Sequence, residues 1–334
     1  MRALVTGGGG FLGRRVVELL RAQGDEVRTF QRGRYPEVEA TGAVAFQGDL
    51  LDKEAVRAAV DGVDTVFHVA SMTGFWEKRG QRAFWRANVD GTNNLLAAME
   101  DAGVRRLVYT STPSVVGYAG DVQNGAQDLP YAKRHRSPYP ASKAAAEAEV
   151  LRANGPQLAT VSLRPHLIFG PRDNNLLPRI LQRAAAGKLP IIGDGRARVD
   201  ATYIDNAAWA HLDAASALTD AGAPCAGKAY FIGNEDPVVL VEWLNELLEG
   251  VGIAPLSRKI PHGLAGLVAG ALELAWDNLP LRGEPRLTPF VVDGFARHHW
   301  YDPEPARRDL GYTPRVEMDQ AVERTVAWFL EQGY

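Results

Sequence analysis

Tyr139 and Lys143 stand four positions apart in Tyr139-Pro140-Ala141-Ser142-Lys143, where an alanine-rich stretch opens. That stretch reads as a helix, and residues at this spacing share one helical face. A phenol and an ammonium on one face can move a proton. A free tyrosine titrates near ~10, and a neighbouring positive charge favours the phenolate and brings the group toward working pH. This pair is the candidate acid–base centre. Tyr-x-x-x-Lys is a common spacing, so its weight depends on what comes before it. Immediately upstream, a strand at 106–110 ends in Ser111-Thr112-Pro113-Ser114, a run with three hydroxyls.

The strongest signal upstream is Thr6-Gly7-Gly8-Gly9-Gly10-Phe11-Leu12-Gly13. Arg2-Ala3-Leu4-Val5 before it reads as a buried strand. After it Phe11, Leu12, Val16, Val17, Leu19 and Leu20 recur at helical spacing. The glycines therefore sit where a strand turns into a helix, the setting in which such a pattern signifies a dinucleotide. One glycine permits a tight turn, one lets the backbone touch a pyrophosphate, and one lets helix pack on strand. The anion then faces free N–H groups at the helix start. Gly7, Gly10, Phe11, Leu12 and Gly13 are the expected contacts. The plainer alternative is a ligand-free turn, against which stands the backbone entropy of four consecutive glycines.

The end of the next strand, 26–31, selects the cofactor. An NAD site places a carboxylate there for the ribose 2′-hydroxyl. This chain has Gln31, followed by Arg32 and Arg34. A guanidinium would clamp a 2′-phosphate that a carboxylate would repel. NADP(H) is expected, with Arg32 as first choice for the phosphate and NAD as the alternative. The competing reading makes both arginines solvated loop residues.

Further strands read at 43–47 and 65–69, with helices at 53–60 and 87–99. Alternation of strand and helix implies a parallel sheet with right-handed crossovers. The fold class is therefore α/β, a Rossmann-type doubly wound sheet with a smaller, mainly helical C-terminal substrate domain. A loop carrying Phe75, Trp76, Phe84 and Trp85 suits an apolar ligand cleft, with ordinary packing as the alternative for Phe84 and Trp85. The chain has 334 residues, 46% of them apolar, and a net charge of −3 without a basic face, so nucleic acid is not an expected partner. Cys225 is the single cysteine, which excludes an intrachain disulfide and points to a reducing, cytoplasmic setting. With the first strand read from residue 2 no leader is expected, and no apolar run is long enough to span a bilayer.

With these features assembled, the chain resembles the extended short-chain dehydrogenase/reductases over essentially its whole length. The glycine stretch, the hydroxyl run and Tyr139-x-x-x-Lys143 carry that resemblance, with Asn88-Val89-Asp90-Gly91-Thr92 and Arg164-Pro165-His166-Leu167-Ile168-Phe169-Gly170-Pro171. Tyr109-Thr110-Ser111-Thr112, Tyr203-Ile204-Asp205-Asn206 and Leu310-Gly311-Tyr312-Thr313-Pro314 are similar to the 3β-hydroxysteroid dehydrogenase branch. Thr110–Val115 and Leu158–Pro165 resemble bacterial reductases of long-chain olefin biosynthesis. The resemblance implies NADPH-dependent reduction of the 3-keto group of a 2-alkyl-3-oxoalkanoic acid to the 3-hydroxy acid. The alternatives are a 3β-hydroxysteroid dehydrogenase, a nucleotide-sugar epimerase or dehydratase, and an NADPH-sensing module without turnover. It also implies roles. Thr112, rather than Ser111 or Ser114, binds the substrate oxygen. Tyr139 gives or takes the proton, and Lys143 holds the nicotinamide ribose. Asp49 and Leu50 lie beside the adenine, His68 to Ala70 along the cofactor, and the backbone from His166 to Ile168 at the nicotinamide amide. A homodimer through the Asn88 and Tyr139 helices is implied as well.

The expected domains are a dinucleotide-binding unit at 1–170 with returning segments at about 199–235, and a substrate cap at 171–198 and 236–334. In the second half, helices read at 175–186, 240–249, 264–276, 288–296 and 318–330, and strands at 199–204 and 229–232. The 264–276 segment is apolar on more than one face, which fits plain core, a lid on an acyl chain, or peripheral contact with a membrane surface. His298-His299 and the other histidines lack ligand spacing with cysteine or carboxylate, so no metal site is expected.

Overall fold

The computed structural model describes residues 1–74, 82–117 and 120–334. Its centre is a seven-stranded parallel sheet: β1 (Arg2–Thr6), β2 (Glu26–Gln31), β3 (Val44–Gln47), β4 (Thr65–His68), β5 (Arg106–Thr110), β6 (Ala159–Pro165) and β7 (Lys228–Ile232). The spatial order is β7-β6-β5-β4-β1-β2-β3, every neighbouring pair parallel. The order reverses between β1 and β4. In such sheets a ligand crevice opens beyond the carboxyl ends of the strands at that reversal.

Alternation along β1 shows why both faces are covered. Successive side chains of a strand point to opposite faces. Ala3 and Val5 enter one core with Val16, Val17 and Leu20 of α1 (Phe11–Ala22). Leu4 enters the other with Val56, Ala59 and Val60 of α2 (Lys53–Val60). Leu95 and Met99 of α3 (Gly91–Ala102) and Ala146 and Val150 of α4 (Pro138–Arg152) complete that second layer. The Asp52 side chain caps α2 by accepting from the Glu54 and Ala55 amides, both at 3.1 Å. A one-turn helix, Arg82–Trp85, and a π-helical turn, Arg86–Asp90, lead into α3.

Between β6 and β7 come α5 (Leu177–Ala185) and α6 (Ile204–Ala217), and after β7 come α7 (Leu240–Gly250), α8 (His262–Asn278), α9 (Pro289–Ala296), α10 (Glu304–Leu310) and α11 (Met318–Glu331). The C-terminal helices expected near 240, 264, 288 and 318 are therefore present. The expected single strand at 199–204 is not. Arg198–Val199 joins a small four-stranded sheet with Val238–Val239, His299–Tyr301 and Val122–Gly125, while Thr202–Tyr203 pairs with Ile168–Phe169. The break falls at Asp200, whose buried carboxylate turns aside to accept from the Tyr301 amide at 3.0 Å, and Ile204 already starts α6.

α8 is built inside out. Only Ala265 and Ala269 are buried on it, whereas Leu264, Leu267, Val268 and Leu274 are 54, 75, 45 and 65% exposed. Its larger apolar side chains therefore lie outside the core. No helix among the described residues is long and apolar enough to cross a membrane.

Candidate active site

The glycine loop makes the turn that the sequence requires. Gly7 adopts φ +70°, and its amide donates to the Phe30 carbonyl at 2.8 Å, tying the loop to the end of β2. Gly10 is the N-cap of α1, offers no side chain to its free amides, and is followed by a first turn without acidic residues. The first amides of α1, from Phe11 and Leu12 onward, are left for a ligand. A Cβ on Gly13 would stand 2.1 Å from the Gly7 carbonyl oxygen, so this position accepts no side chain. A Cβ on Gly7 would press on the Ala70 backbone at 2.8 Å. This bare backbone cradle at the β1/β4 reversal fits a dinucleotide pyrophosphate. Tyr35, which no motif singled out, packs its ring against Gly9 and Gly33 at the same edge.

Around the cradle, Arg32 is exposed and has no ion-pair partner among the described residues. Arg34 is held by Glu39 through two hydrogen bonds of 3.0 and 3.1 Å. Gln31 is buried, with no carboxylate in its place. The Asp49 carboxylate accepts from the Leu51 amide at 2.9 Å, and the Leu50 carbonyl accepts from Asn94 Nδ2 at 2.9 Å, so both rim the end of β3 next to Gln31.

His68 proves to be wired rather than exposed to a ligand. The Ala70 amide donates to Thr6 Oγ1 at 3.2 Å, and the Thr6 hydroxyl meets His68 Nδ1 at 2.7 Å. His68 Nε2 meets Thr92 Oγ1 at 2.9 Å, and Thr92 donates to the Asn88 carbonyl at 2.6 Å. Only the tautomer with its proton on Nε2 satisfies every link. Burial, with the Lys143 charge nearby, pushes the His68 pKa down to about 3, so the ring is neutral. Asn88 continues the network. It binds the Met72 backbone at both ends, 2.7 and 3.1 Å, and donates to Ser142 Oγ on α4 at 2.9 Å. The π-turn holding Asn88 is a device often found at functional sites.

At the carboxyl end of β5 the candidate proton-transfer residues come together. The Thr112 hydroxyl hydrogen-bonds the Tyr139 phenol and lies 3.0 Å from Ser114 Oγ. Phe84 packs edge-on to the Tyr139 ring at 6.5 Å. Phe84 is buried and Trp85 is exposed; Phe75 and Trp76 lie outside the described residues. Burial pushes the Tyr139 pKa up to about 12 despite the Thr112 hydrogen bond. The expected lowering by Lys143 is not found in this geometry. The Lys143 ammonium donates to the Thr110 carbonyl at 2.6 Å and sits 4.2 Å from the Tyr109 ring centre. Burial lowers its own pKa to about 7, with Glu147 pulling the other way.

Glu147 is the residue that sequence reading missed. It is fully buried, accepts from Ser162 Oγ at 2.8 Å, and pairs with Arg164 Nη2 at 2.5 Å. Burial, the largest influence, would raise its pKa, but the Arg164 charge together with hydrogen bonds from Arg164, Ser111 and Ser162 brings it below the usual value and keeps it ionised. A signal existed: Tyr139, Lys143 and Glu147 follow one another at four-residue steps along one helical face.

The His166 amide donates to the Ile232 carbonyl at 3.1 Å, and Thr202 bridges the His166 and Ile232 carbonyls at 2.7 and 3.0 Å. The His166 ring stacks on His299 at 4.7 Å, and burial drives its pKa far down. Leu167 is held at φ +37° and Ile168 pairs with Thr202, so this backbone turns sharply beyond the end of β6.

Comparison with known proteins agrees with this architecture. The chain is 46% identical to a 2-alkyl-3-oxoalkanoate reductase of Stenotrophomonas maltophilia, over 98% of this chain and 99% of that one. It is 37% identical to the human sterol-4-alpha-carboxylate 3-dehydrogenase, decarboxylating, over 98% and 88%. Among solved structures it resembles a dTDP-glucose 4,6-dehydratase double mutant from Streptomyces venezuelae with NAD bound, at 26% identity and TM-score 0.76, covering 99% and 97%. Residues 4–262 match the 3-beta hydroxysteroid dehydrogenase/isomerase family, and the chain belongs to it, as an oxidoreductase acting on CH–OH/C=O groups within the extended short-chain dehydrogenase/reductase fold.

Proposed function

We propose that the protein is an NADP(H)-dependent reductase that converts the 3-keto group of a 2-alkyl-3-oxoalkanoic acid to the 3-hydroxy acid. The observation that carries this reading is the hydrogen-bonded Thr112–Tyr139 pair facing the end of the sheet beside the glycine cradle. The substrate class comes from the 46% identical relative. Preference for the phosphorylated cofactor rests on Gln31 and on the unpaired Arg32.

The residues that would hold the cofactor are Gly7, Gly10, Phe11, Leu12 and Gly13 at the pyrophosphate, Arg32 at the 2′-phosphate, and Asp49 and Leu50 at the adenine. Ala70 would lie along it, with His68 fixing that segment, and His166 and Ile168 would bound the nicotinamide end. Bound dihydronicotinamide supplies hydride to the carbonyl carbon. The chain does the rest. Thr112 and Tyr139 aim two hydroxyls at the carbonyl oxygen, where negative charge grows. Tyr139 Oη then releases its proton to that oxygen. A phenol held at about 12 is protonated at neutral pH, as an acid in the reducing direction must be. Lys143, anchored on Thr110, is placed one turn along to bind the nicotinamide ribose.

Tyr139→Phe tests the role. Reductive turnover falls at least about 100-fold, the usual scale of acid catalysis, while NADPH affinity is retained. Unchanged turnover refutes the role. A panel of hydroxysteroids against 3-oxo-2-alkyl acids separates the proposed reaction from the sterol chemistry named for the human relative.

Three further assignments belong to the same reading. A homodimer through α3 and α4 gives twice the chain mass by light scattering. The exposed leucines of α8, flanked by exposed Arg258, Lys259, Arg282 and Arg286, support peripheral contact with an anionic lipid surface, tested by co-sedimentation with such vesicles. A lone buried cysteine, Cys225, supports a cytoplasmic setting, tested by cell fractionation.

A further inference from the structure

The loop leading into α4 carries Lys133-Arg134-His135-Arg136. It borders a shallow surface depression walled by Ser114, Arg134, His135, Arg136, Pro140 and Asp293. One wall belongs to the active site. Ser114 Oγ is 3.0 Å from Thr112 Oγ1, and Pro140 follows Tyr139 directly. Across from it, the buried Asp293 carboxylate is already engaged by Arg136 at 2.9 Å, His262 at 3.0 Å and Arg297 at 3.4 Å. The two arginines outweigh its single charge, so the depression is net positive before Arg134 is counted.

Two groups there lack partners among the described residues. Arg134 makes no ion pair among the described residues, and His135 Nδ1 is buried without a hydrogen-bond partner. The buried ring nitrogen leaves a polar group to satisfy, and the exposed Arg134 beside it supplies a guanidinium free to turn toward an anion. The substrate proposed above supplies one. Its carboxylate carbon is two bonds from the ketone carbon, so a ketone oxygen between Thr112 and Tyr139 keeps the carboxylate within a few bond lengths of Ser114 and Pro140, which wall the depression.

We propose that Arg134 and His135 form the subsite for the carboxylate of the substrate; this rests on the substrate reading above. The guanidinium fork takes the two oxygens, and the imidazole N–H closes on one of them. The pairing has a chemical use. A 3-keto acid loses carbon dioxide when the C1–C2 bond breaks and its electron pair forms the C2=C3 enolate. An ion pair that holds the charge on the carboxylate opposes that step and leaves the ketone to be reduced.

The test runs in the oxidative direction with NADP⁺, where the probes are chemically stable: a 2-alkyl-3-hydroxyalkanoic acid and its methyl ester. Wild-type enzyme favours the acid in kcat/KM. Arg134→Gln lowers the acid-to-ester ratio by about 10- to 100-fold, as loss of a charged hydrogen bond does. Arg134→Lys recovers part of it, and His135→Gln lowers it less than Arg134→Gln. Equal losses on acid and ester, or a wild type that does not distinguish them, overturn the subsite alone. Turnover of a 3β-hydroxysteroid with neither probe accepted overturns the substrate reading and the subsite with it.

Discussion

The ammonium of Lys143 stands 2.6 Å from the carbonyl oxygen of Thr110, and that bond pins the middle of α4 to the last residue of β5. Thr110 is fixed from its other end too, because its hydroxyl meets His211 Nε2 at 2.7 Å while His211 Nδ1 meets the Ala207 carbonyl. The run from Ser111 to Ser114 thus leaves a point clamped from two layers. Tyr139 and Thr112 approach each other because helix and strand end cannot slide apart.

Replacing Glu147 loosens this clamp from below. Glu147→Gln leaves the Arg164 guanidinium buried without its counter-charge, which costs about 3–5 kcal/mol. It also removes the charge that keeps the Lys143 pKa from falling further. Urea melts show the loss of stability. In the surviving folded enzyme, the pH limb for NADPH binding moves to lower pH. A melt unchanged from wild type contradicts the buried-pair assignment.

Acid destabilises the fold through its neutral histidines. Burial holds His68 at about 3 and both His211 and His299 at about 4, against 6.5 when free. Between those values the unfolded chain binds more protons than the native one. The stability these rings contribute is therefore complete above their free pKa and is lost as pH falls through it toward 4. Urea midpoints taken at descending pH across that window decline; a level series contradicts the neutral assignments.

The cradle tolerates no added carbon at its tightest point. Gly13→Ala drives a methyl into the Gly7 carbonyl, with cost on the order of 1–3 kcal/mol and loss of nucleotide binding. Gly263→Ala is the control. That helical glycine has open space where the methyl would go, so the exchange is neutral or stabilising by about 0.5–1 kcal/mol. Nucleotide titration and thermal melts of the two variants separate them.

Cofactor choice is read most directly at the end of β2. Arg32→Ala weakens NADPH binding by about 10- to 100-fold and leaves NADH nearly unchanged. Arg34→Ala does less, since Glu39 already occupies its guanidinium. Equal effects of Arg32→Ala on both nucleotides contradict the proposed phosphate contact.

β1, β3, β4 and β5 were legible because each holds a short apolar run, and β2 because Val27, Thr29 and Phe30 follow α1 directly. β6 was not read as a strand, and its burial explains why. All seven residues from Ala159 to Pro165 are buried, yet Thr160, Ser162 and Arg164 are polar, so the run lacks the apolar continuity expected of a central strand. Ser162 and Arg164 can be there only because Glu147 comes down from α4 to meet them. A tertiary partnership of this kind leaves no periodic trace. α6 was hidden differently: Tyr203 looked like the close of a strand, but its extended backbone is the N-cap of a helix rich in alanine. The Tyr139–Lys143 spacing and the glycine turn were visible because their geometry is local. The meeting of Asp293 with Arg136 and His262 was invisible, since those partners come from distant stretches of chain; only Arg297, one turn along, is local.

The little sheet that holds Arg198–Val199 is sewn from four distant passages of the polypeptide, near residues 122, 198, 238 and 299. The tissue around the reactive end is consequently indivisible. A chimera made by exchanging one contiguous tail with a relative at a junction between residues 125 and 299 would replace some of these threads and keep the others, mismatching them. Retargeting this scaffold to new substrates calls for transplanting all four passages at once, or for leaving them alone and altering single side chains.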